Sequence, residues 1–298
     1  MKIAITGATG FLGRYIVDHL VNAGHTCRCW YRSSSDRSGF ENYGDNLEWI
    51  EGGLNDPQAT DALVEGMDAV VHAALYHPGG AFRGMEVDLV DYVDKNVTGS
   101  IRLMQTAKNT GVDRFVFIST CAVHEIVLED RPLDETHPLW ATHHYGAHKA
   151  AIEKFVHSFG LGEKYPICAL RPTGIYGLAH PPEQSKWFDL IKQVKAGQDI
   201  ESSKGGKEVH AADVAKAVVI LLQAEGIAGQ SYNCYDMYIA DQDVARIAKE
   251  LTGSSSNIAH QNKGPKNQII TDKIQSLGMK FGGEERLRQT VSEILTNC

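Results

Sequence analysis

An α/β fold, with a doubly wound parallel sheet and a smaller C-terminal lobe, is predicted by three features of this 298-residue sequence. An apolar stretch runs into a glycine turn at Lys2–Gly13 (KIAITGATGFLG), and a helical pattern follows at once. Strand-like and helix-like patterns then alternate as far as Gly177, which implies parallel strands joined by right-handed crossovers. Beyond Gly177 the alternation loosens, starting with the Pro-rich, Trp-containing segment His180–Trp187. We therefore expect a main domain over residues 1–177 and a smaller lobe over 178–298, with 207–235 returning to the main sheet.

Each element has its own justification. Ile3, Ala4 and Ile5 form the first strand. In the turn, Gly7 permits the sharp bend, Gly10 lets the backbone approach a pyrophosphate without a Cβ in the way, and Gly13 lets the helix lie close on the strand. The helix start points free N–H groups and its positive dipole end at that pyrophosphate. This helix carries Leu12, Ile16 and Leu20 on one stripe, with Val17 and Val21 beside it, and stops at Gly24. A second strand at Thr26–Tyr31, a polar loop from Arg32 to Gly39 and a third strand at Leu47–Ile50 follow. A short helix over Asp56–Glu65 precedes Ala69–Ala74, whose near-continuous hydrophobicity suits a parallel strand buried on both faces. The spacing of Val93, Val97, Ile101 and Met104 predicts a long helix from Glu86 to Lys108. Strand Arg114–Ser119 is next, then a helix from Tyr145 burying Ile152, Phe155 and Phe159, and strand Pro166–Leu170. In the last third we expect helices at Phe188–Lys195, Ala212–Gln223 and Asp241–Leu251, the last with Val244, Ile247 and Leu251 on its stripe. A short strand at Ser231–Tyr235, loops at Ser254–Asn257 and Lys263–Asn267, and closing helices at Thr271–Leu277 and Glu284–Leu295 complete the chain.

Composition narrows the function. A formal charge of −8 disfavours a general nucleic-acid surface, since no basic stripe displaces phosphate counterions. Lys204 and Lys207 read as solvated loop charges. No apolar run approaches membrane-spanning length and no leader precedes the first strand, so a soluble, cytoplasmic protein acting on a small molecule is expected. The six cysteines show neither metal-ligand spacing nor a disulfide framework and read as free thiols. No metal site is expected from the histidines, of which His143 and His144 are adjacent in a loop.

Two stretches carry chemistry. In YGAHK, Tyr145 and Lys149 stand four apart at a helix start and share one face. A nearby ammonium and the positive ring of an oxidised nicotinamide favour the phenolate over a phenol of ordinary pKa near ~10, so Tyr145 can serve as general acid or base. Lys149 can also hold ribose hydroxyls. The alternative is an amphipathic helix with a surface Tyr and Lys. STCAVHE (Ser119–Glu125) lies just past a strand end, where an α/β sheet presents residues to a ligand, and Thr120 is the hydroxyl placed for a substrate carbonyl. RPTGIYG (Arg171–Gly177) follows the next strand and brings backbone from Pro172 to Ile175 to the same crevice.

The turn TGATGFLG (Thr6–Gly13) has the spacing G-x-x-G-x-x-G. With VHAA (Val71–Ala74), NVTGS (Asn96–Ser100), STCAVHE, YGAHK, RPTGIYG, VHAADVA (Val209–Ala215), LGMKF (Leu277–Phe281) and ERLRQTV (Glu285–Val291), it resembles the extended short-chain dehydrogenase/reductases, the NAD-dependent epimerase/dehydratase family, over nearly the whole chain. The resemblance implies a Rossmann-type sheet and an NAD(P) cofactor. It implies catalytic positions at Thr120, Tyr145 and Lys149, with Asn96 as the helix Asn, structural or catalytic. Cofactor contacts are implied at Gly7, Thr9, Gly10, Phe11 and Leu12 in the turn, Arg32 and Leu54 at the adenosine end, and Ala73, Ala74, Ser119, Tyr145, Lys149, Pro172 and Ile175 along the crevice. Tyr76, His124, Thr173, Tyr176 and Trp187 are expected around the substrate; His77 and His143 are further candidates, with solvated or hydrogen-bonded loop histidines as the reading set against them.

Departures from the family pattern shape the rest. Where NAD-preferring relatives hold an acidic residue this chain has Tyr31 and Arg32, so NADP is expected ahead of NAD, with Arg37 either assisting or a solvated loop charge. Gly53 stands where the family often has an adenine-contacting Asp. Cys121 and Ala122 fill the positions where dehydratases carry acids, which disfavours dehydration. Pro172-Thr173-Gly174 and Gly206-Lys207 replace the Asn and Arg that serve a nucleotide-sugar pyrophosphate, although Lys207 can substitute for that Arg. These features favour an oxidoreductase moving hydride to or from a small carbonyl or hydroxyl compound. The alternatives are a nucleotide-sugar 4-epimerase and, as a minority reading, a non-catalytic dinucleotide-binding sensor; RNA binding is disfavoured by the acidic balance. A homodimer is expected through the helices bearing Asn96 and Tyr145.

Overall fold

The computed structural model describes residues 1–77, 79, 88–202, 204–260 and 264–298. The first half alternates as expected: β1 (Lys2–Thr6), α1 (Phe11–Asn22), β2 (Thr26–Tyr31), β3 (Leu47–Glu51), α2 (Pro57–Val64), β4 (Ala69–His72), α3 (Leu89–Val93), α4 (Gly99–Asn109), β5 (Arg114–Ile118), α5 (His144–His157) and β6 (Ile167–Pro172). Then come β7 (Gly174–Tyr176), α6 (Phe188–Lys195), β8 (Gly205–His210), α7 (Ala211–Gln223), β9 (Gln230–Cys234), β10 (Met237–Ala240), α8 (Asp241–Thr252), α9 (Asp272–Ser276) and α10 (Gly283–Thr296).

Seven strands form one sheet in the order β3-β2-β1-β4-β5-β6-β9, and every neighbouring pair is parallel. The chain winds one way from β1 to β3 and the other way from β4 to β9, so the switch falls between β1 and β4, where ligands bind in such sheets. All residues of β4 and β6 are buried, which explains why these strands are apolar apart from His72 and Arg171. One layer, with Ile16, Val17 and Leu20 of α1 against Val214, Val218 and Leu221 of α7, covers one face. The other face packs Leu63 of α2, Leu103 and Met104 of α4, and Ile152 and Val156 of α5 against Phe115 and Phe117. Each such aliphatic side chain contributes roughly 1.5–3 kcal/mol of burial. Asp56 fixes the start of α2 by accepting the Ala59 amide at 2.9 Å, with Pro57 at the first helical position.

A second sheet, β10-β8-β7, packs with α6, α8 and α10 around Tyr176, Trp187, Ile191, Ile239, Val244 and Val291. Lys204 is an exposed loop charge as expected, but the same reading of Lys207 is corrected: Lys207 lies on β8, half-buried. Two glycines and a lysine hide that strand from propensity, while pairing with β7 and β10 creates it. The expected long helix contains a π-helical turn at Asp94–Thr98 between α3 and α4. Its expected start at Glu86 lies outside the described residues, as does Lys263. Phe155 and Leu251 are exposed rather than buried, because each sits on the outer face of its helix.

Candidate active site

The glycine turn is built as its spacing requires. Gly7 has φ +76°, and a Cβ there would stand 2.8 Å from the backbone of Ala73 and Ala74. A Cβ on Gly13 would stand 2.0 Å from the Gly7 carbonyl oxygen, so α1 approaches β1 only because none exists. At Gly10 a Cβ would stand 3.3 Å from the Gly7 carbonyl oxygen, a close approach but far looser than the one at Gly13, and Gly10 lines the cavity beside the turn. Beside the turn lies a cavity of about 670 Å³. Gly7, Thr9, Gly10, Ala73 and Ala74 line one end, and Arg32, Ser34, Ser35, Gly53, Leu54 and Asn55 the other. Arg37 sits with its guanidinium 4.1 Å above the Tyr31 ring.

Thr120, Tyr145 and Lys149 converge past the end of β5. Thr120 starts a short 3-10 turn, its hydroxyl accepting the Ala122 amide at 3.1 Å, and it hydrogen-bonds the Tyr145 phenol. Lys149, one helical turn on, is 4% exposed and donates to the Ile118 carbonyl at 2.8 Å. Burial lowers its pKa to about 7, with Glu153 acting the other way. Burial raises the Tyr145 phenol above its ordinary value and the Thr120 hydrogen bond only partly offsets this, so without a charged ring beside it Tyr145 is protonated at neutral pH.

Two buried networks hold this arrangement. Glu153, one turn beyond Lys149, takes Arg171 Nε at 3.0 Å and Nη2 at 2.5 Å, and its two oxygens accept the hydroxyls of Ser119 at 2.5 Å and Ser231 at 3.1 Å. The second runs from Thr6 through His72 to Ser100: Thr6 Oγ1 lies 2.6 Å from His72 Nδ1, and Nε2 lies 2.7 Å from Ser100 Oγ. Ser100 donates to the Asn96 carbonyl, so His72 carries its proton on Nε2 and accepts from Thr6. Burial lowers its pKa to about 3, leaving it neutral. Asn96 grips the loop after β4, accepting the Tyr76 amide and donating to the Tyr76 and Tyr92 carbonyls.

The model of the NAD-dependent epimerase/dehydratase family matches residues 3–234. The chain belongs to that family. Among curated relatives, the dTDP-D-glucose 4,6-dehydratase of Mus musculus is 27% identical, the alignment covering 97% of this chain and 87% of that protein. The UDP-glucose 4-epimerase of Halalkalibacterium halodurans is 24% identical over 93% and 89% of the two chains. Among solved structures, the UDP-N-acetylglucosamine 4-epimerase of Methanobrevibacter ruminantium aligns over 100% and 99% of the chains with TM-score 0.80 at 19% identity. The dTDP-glucose 4,6-dehydratase DesIV of Streptomyces venezuelae, solved with NAD bound, aligns over 100% and 98% with TM-score 0.79 at 20% identity.

For a member of the NAD-dependent epimerase/dehydratase family, the pocket fits a nicotinamide dinucleotide: Gly7, Thr9 and Gly10 of the glycine turn, with Gly10 at the N-terminus of α1, line one cavity. Tyr76, expected at the substrate, also lines this cavity, together with Lys95, which sequence reasoning missed. Phe11, Leu12, Ser119, Tyr145, Lys149, Pro172 and Ile175 lie outside the cavity wall, Ser119 turned to Glu153 and Ile175 packed on the main core. His124 belongs to the buried network rather than a substrate wall: Nδ1 donates to the Pro138 carbonyl at 3.1 Å and Nε2 accepts from Arg171 at 3.3 Å. Burial beside Arg171 lowers its pKa to about 4, consistent with that neutral tautomer. Tyr176 is likewise core, fully buried between Trp187 and His210. Trp187 is 5% exposed yet lines a separate cavity in the small lobe, and the Thr173 hydroxyl is buried with no hydrogen-bond partner among the described residues. Glu153 and Arg171 escaped notice although Tyr145, Lys149 and Glu153 stand at i, i+4 and i+8, a spacing that carries the signal.

Proposed function

We propose that this family member is an NAD(P)-dependent reductase or dehydrogenase for a small carbonyl or hydroxyl compound, with Thr120, Tyr145 and Lys149 as its catalytic residues. The reading is supported by one arrangement: Thr120 hydrogen-bonds Tyr145, and Lys149, one helical turn on, donates to the Ile118 carbonyl at the end of β5, while the position after Thr120, Cys121, is turned inward. Its thiol donates to the Arg171 carbonyl at 3.0 Å and burial pushes it up to about 12, so neither it nor Ala122 offers the acid that elimination of water needs.

In carbonyl reduction, Thr120 holds the substrate oxygen and the protonated Tyr145 gives it a proton as hydride arrives at carbon. Lys149 then stabilises the phenolate left behind. A bound nicotinamide supplies the hydride at its C4. A nucleotide-sugar 4-epimerase is the second reading, supported by full-length likeness to such enzymes and by Lys207 on β8, half-buried.

NADP is the cofactor we favour. Arg32, Ser34 and Ser35 line the adenosine end, while the nearby Asp36 carboxylate already accepts from the Ser38 amide and hydroxyl and faces Arg14 and His180. The test is a fluorescence titration with NADPH and NADH, repeated on Arg32→Asp, followed by a screen of aldehydes and ketones. Tighter NADPH binding that reverses in the variant supports the reading; NADH preference in the native chain removes Arg32 from it. We also propose a homodimer through α3 and α5, whose Leu89, Val90, Val93 and Phe155 are exposed, which light scattering tests. A cytoplasmic location is supported by the free cysteines.

A further inference from the structure

β7 and β8 run side by side with Gly174 opposite Glu208, and a cavity of about 310 Å³ opens beside them against α6 and β10. Trp187, Leu190 and Ile239 give it an apolar wall; Gly205, Gly206 and Glu208 line its β8 side. Glu208 is 3% exposed. Its Oε1 accepts from the Lys186 ammonium, but Oε2 has no hydrogen-bond partner among the described residues.

The surrounding glycines make room for this carboxyl group. A Cβ on Gly174 would stand 2.5 Å from Oε2, and one on Gly206 2.4 Å from Oε1. A Cβ on Gly205 would stand 2.4 Å from the Tyr238 hydroxyl. A buried acceptor left unmade costs about 1–3 kcal/mol, and native folds seldom keep one without a use. Burial also pushes the carboxyl group's pKa up, as expected for an acid held in such a place.

We propose that Glu208 and Trp187 form a hydroxyl-reading subsite for an uncharged polyhydroxylated substrate. Oε2 accepts a hydroxyl, and the indole offers an apolar face to the substrate's C–H side. The inference rests on the reductase reading and names its substrate class. A phosphorylated compound does not suit the cavity: Lys186 is already neutralised by Glu208, Asp241 adds a second carboxylate to the wall, and Lys204 is exposed, where solvent screens it. The volume lies at the small end of ligand pockets.

The experiment is saturation-transfer NMR with D-glucose, D-galactose and myo-inositol as uncharged probes and UDP-glucose as the phosphorylated one. It is run on the native chain and on Glu208→Gln, with NADPH titration of each protein as the check on folding. If Glu208→Gln fails that check, Glu208→Asp, which withdraws the carboxylate from Gly174, takes its place. The expected result is transfer to at least one uncharged probe, binding at least tenfold weaker in the variant, and no transfer to UDP-glucose. Binding unchanged in the variant, or no transfer to any uncharged probe, overturns the subsite. Transfer to UDP-glucose in the native chain also overturns it, and moves the reaction toward epimerisation. The reductase reading fails on different data: retained turnover in Tyr145→Phe leaves the polyol titration untouched.

Discussion

The His143 ring lies nearly face to face with that of Tyr145, the planes 24° apart and the centroids 6.0 Å apart. His143 Nδ1 accepts the Gly146 amide at 3.0 Å, so Nε2 carries the proton toward Glu125 Oε1 at 3.2 Å. One side chain both caps α5 and walls the phenol. His148 also meets Tyr145, edge-on at 5.5 Å, and hydrogen-bonds Tyr92.

Capping and walling separate by substitution. His143→Asn keeps a capping side chain, whereas His143→Ala loses about 1 kcal/mol of helix-start stabilisation. Urea unfolding is expected to place the Asn variant near the native chain and the Ala variant below it. NADPH consumption with a carbonyl substrate is expected to fall in both, because both lose the ring. Equal stability of the two variants would refute the capping role.

The glycines of the turn differ in kind. Gly13→Ala puts a Cβ 2.0 Å from the Gly7 oxygen and is expected to abolish folding. Gly10→Ala meets nothing closer than 3.3 Å and is expected to melt within a few degrees of the native chain while losing NADPH fluorescence enhancement. If Gly10→Ala binds NADPH normally, the pyrophosphate is not at Gly10.

Arg171→Met leaves Glu153 buried with, among the described residues, the two serine hydroxyls as its hydrogen-bond donors and Lys149 nearby, a loss of about 3–5 kcal/mol. Adding Glu153→Leu removes the stranded charge, so the double variant is expected to regain much of that loss in a denaturant double-mutant cycle. Simple additivity of the two single losses is the contrary outcome.

Lys149 makes stability depend on pH in a predictable direction. Its pKa is about 7 in the fold against an ordinary lysine value near ~10.4, so between these limits the folded chain binds fewer protons than the unfolded one. Its contribution is therefore lowest below pH 7 and rises through pH 7 to 10. Unfolding free energies of the native chain and Lys149→Met, measured across that range, are expected to diverge, with the native chain gaining. Parallel curves mean that Lys149 stays charged in the fold.

The main sheet was legible because its central strands are buried on both faces: AVV in β4 and FVFI in β5 can be little else between helices. The glycine turn was legible because Gly7 and Gly13 answer to local sterics. What escaped depends on partners far off in the chain. β8 is a strand because β7 and β10 pair with it, despite its glycines. Tyr176 and His124 look like pocket residues until the lobe core and Arg171 are seen to surround them. Phe155 keeps the helical period of its neighbours, yet periodicity does not say which face is covered.

The route of the chain has a consequence for how this protein can be made and altered. It leaves the seven-stranded sheet after β6, builds β7 and β8 elsewhere, returns to lay down β9, and departs again to β10. A ribosome must therefore deliver two strands of the small sheet before the large one can close, and a gene cut after Gly177 yields a product whose β6 edge is bare and whose α1 lacks the cover of α7. Swapping the lobe for a relative's requires several splices that keep β9 and α7 in place, so the lobe is altered by point substitution far more readily than by exchange of a whole piece.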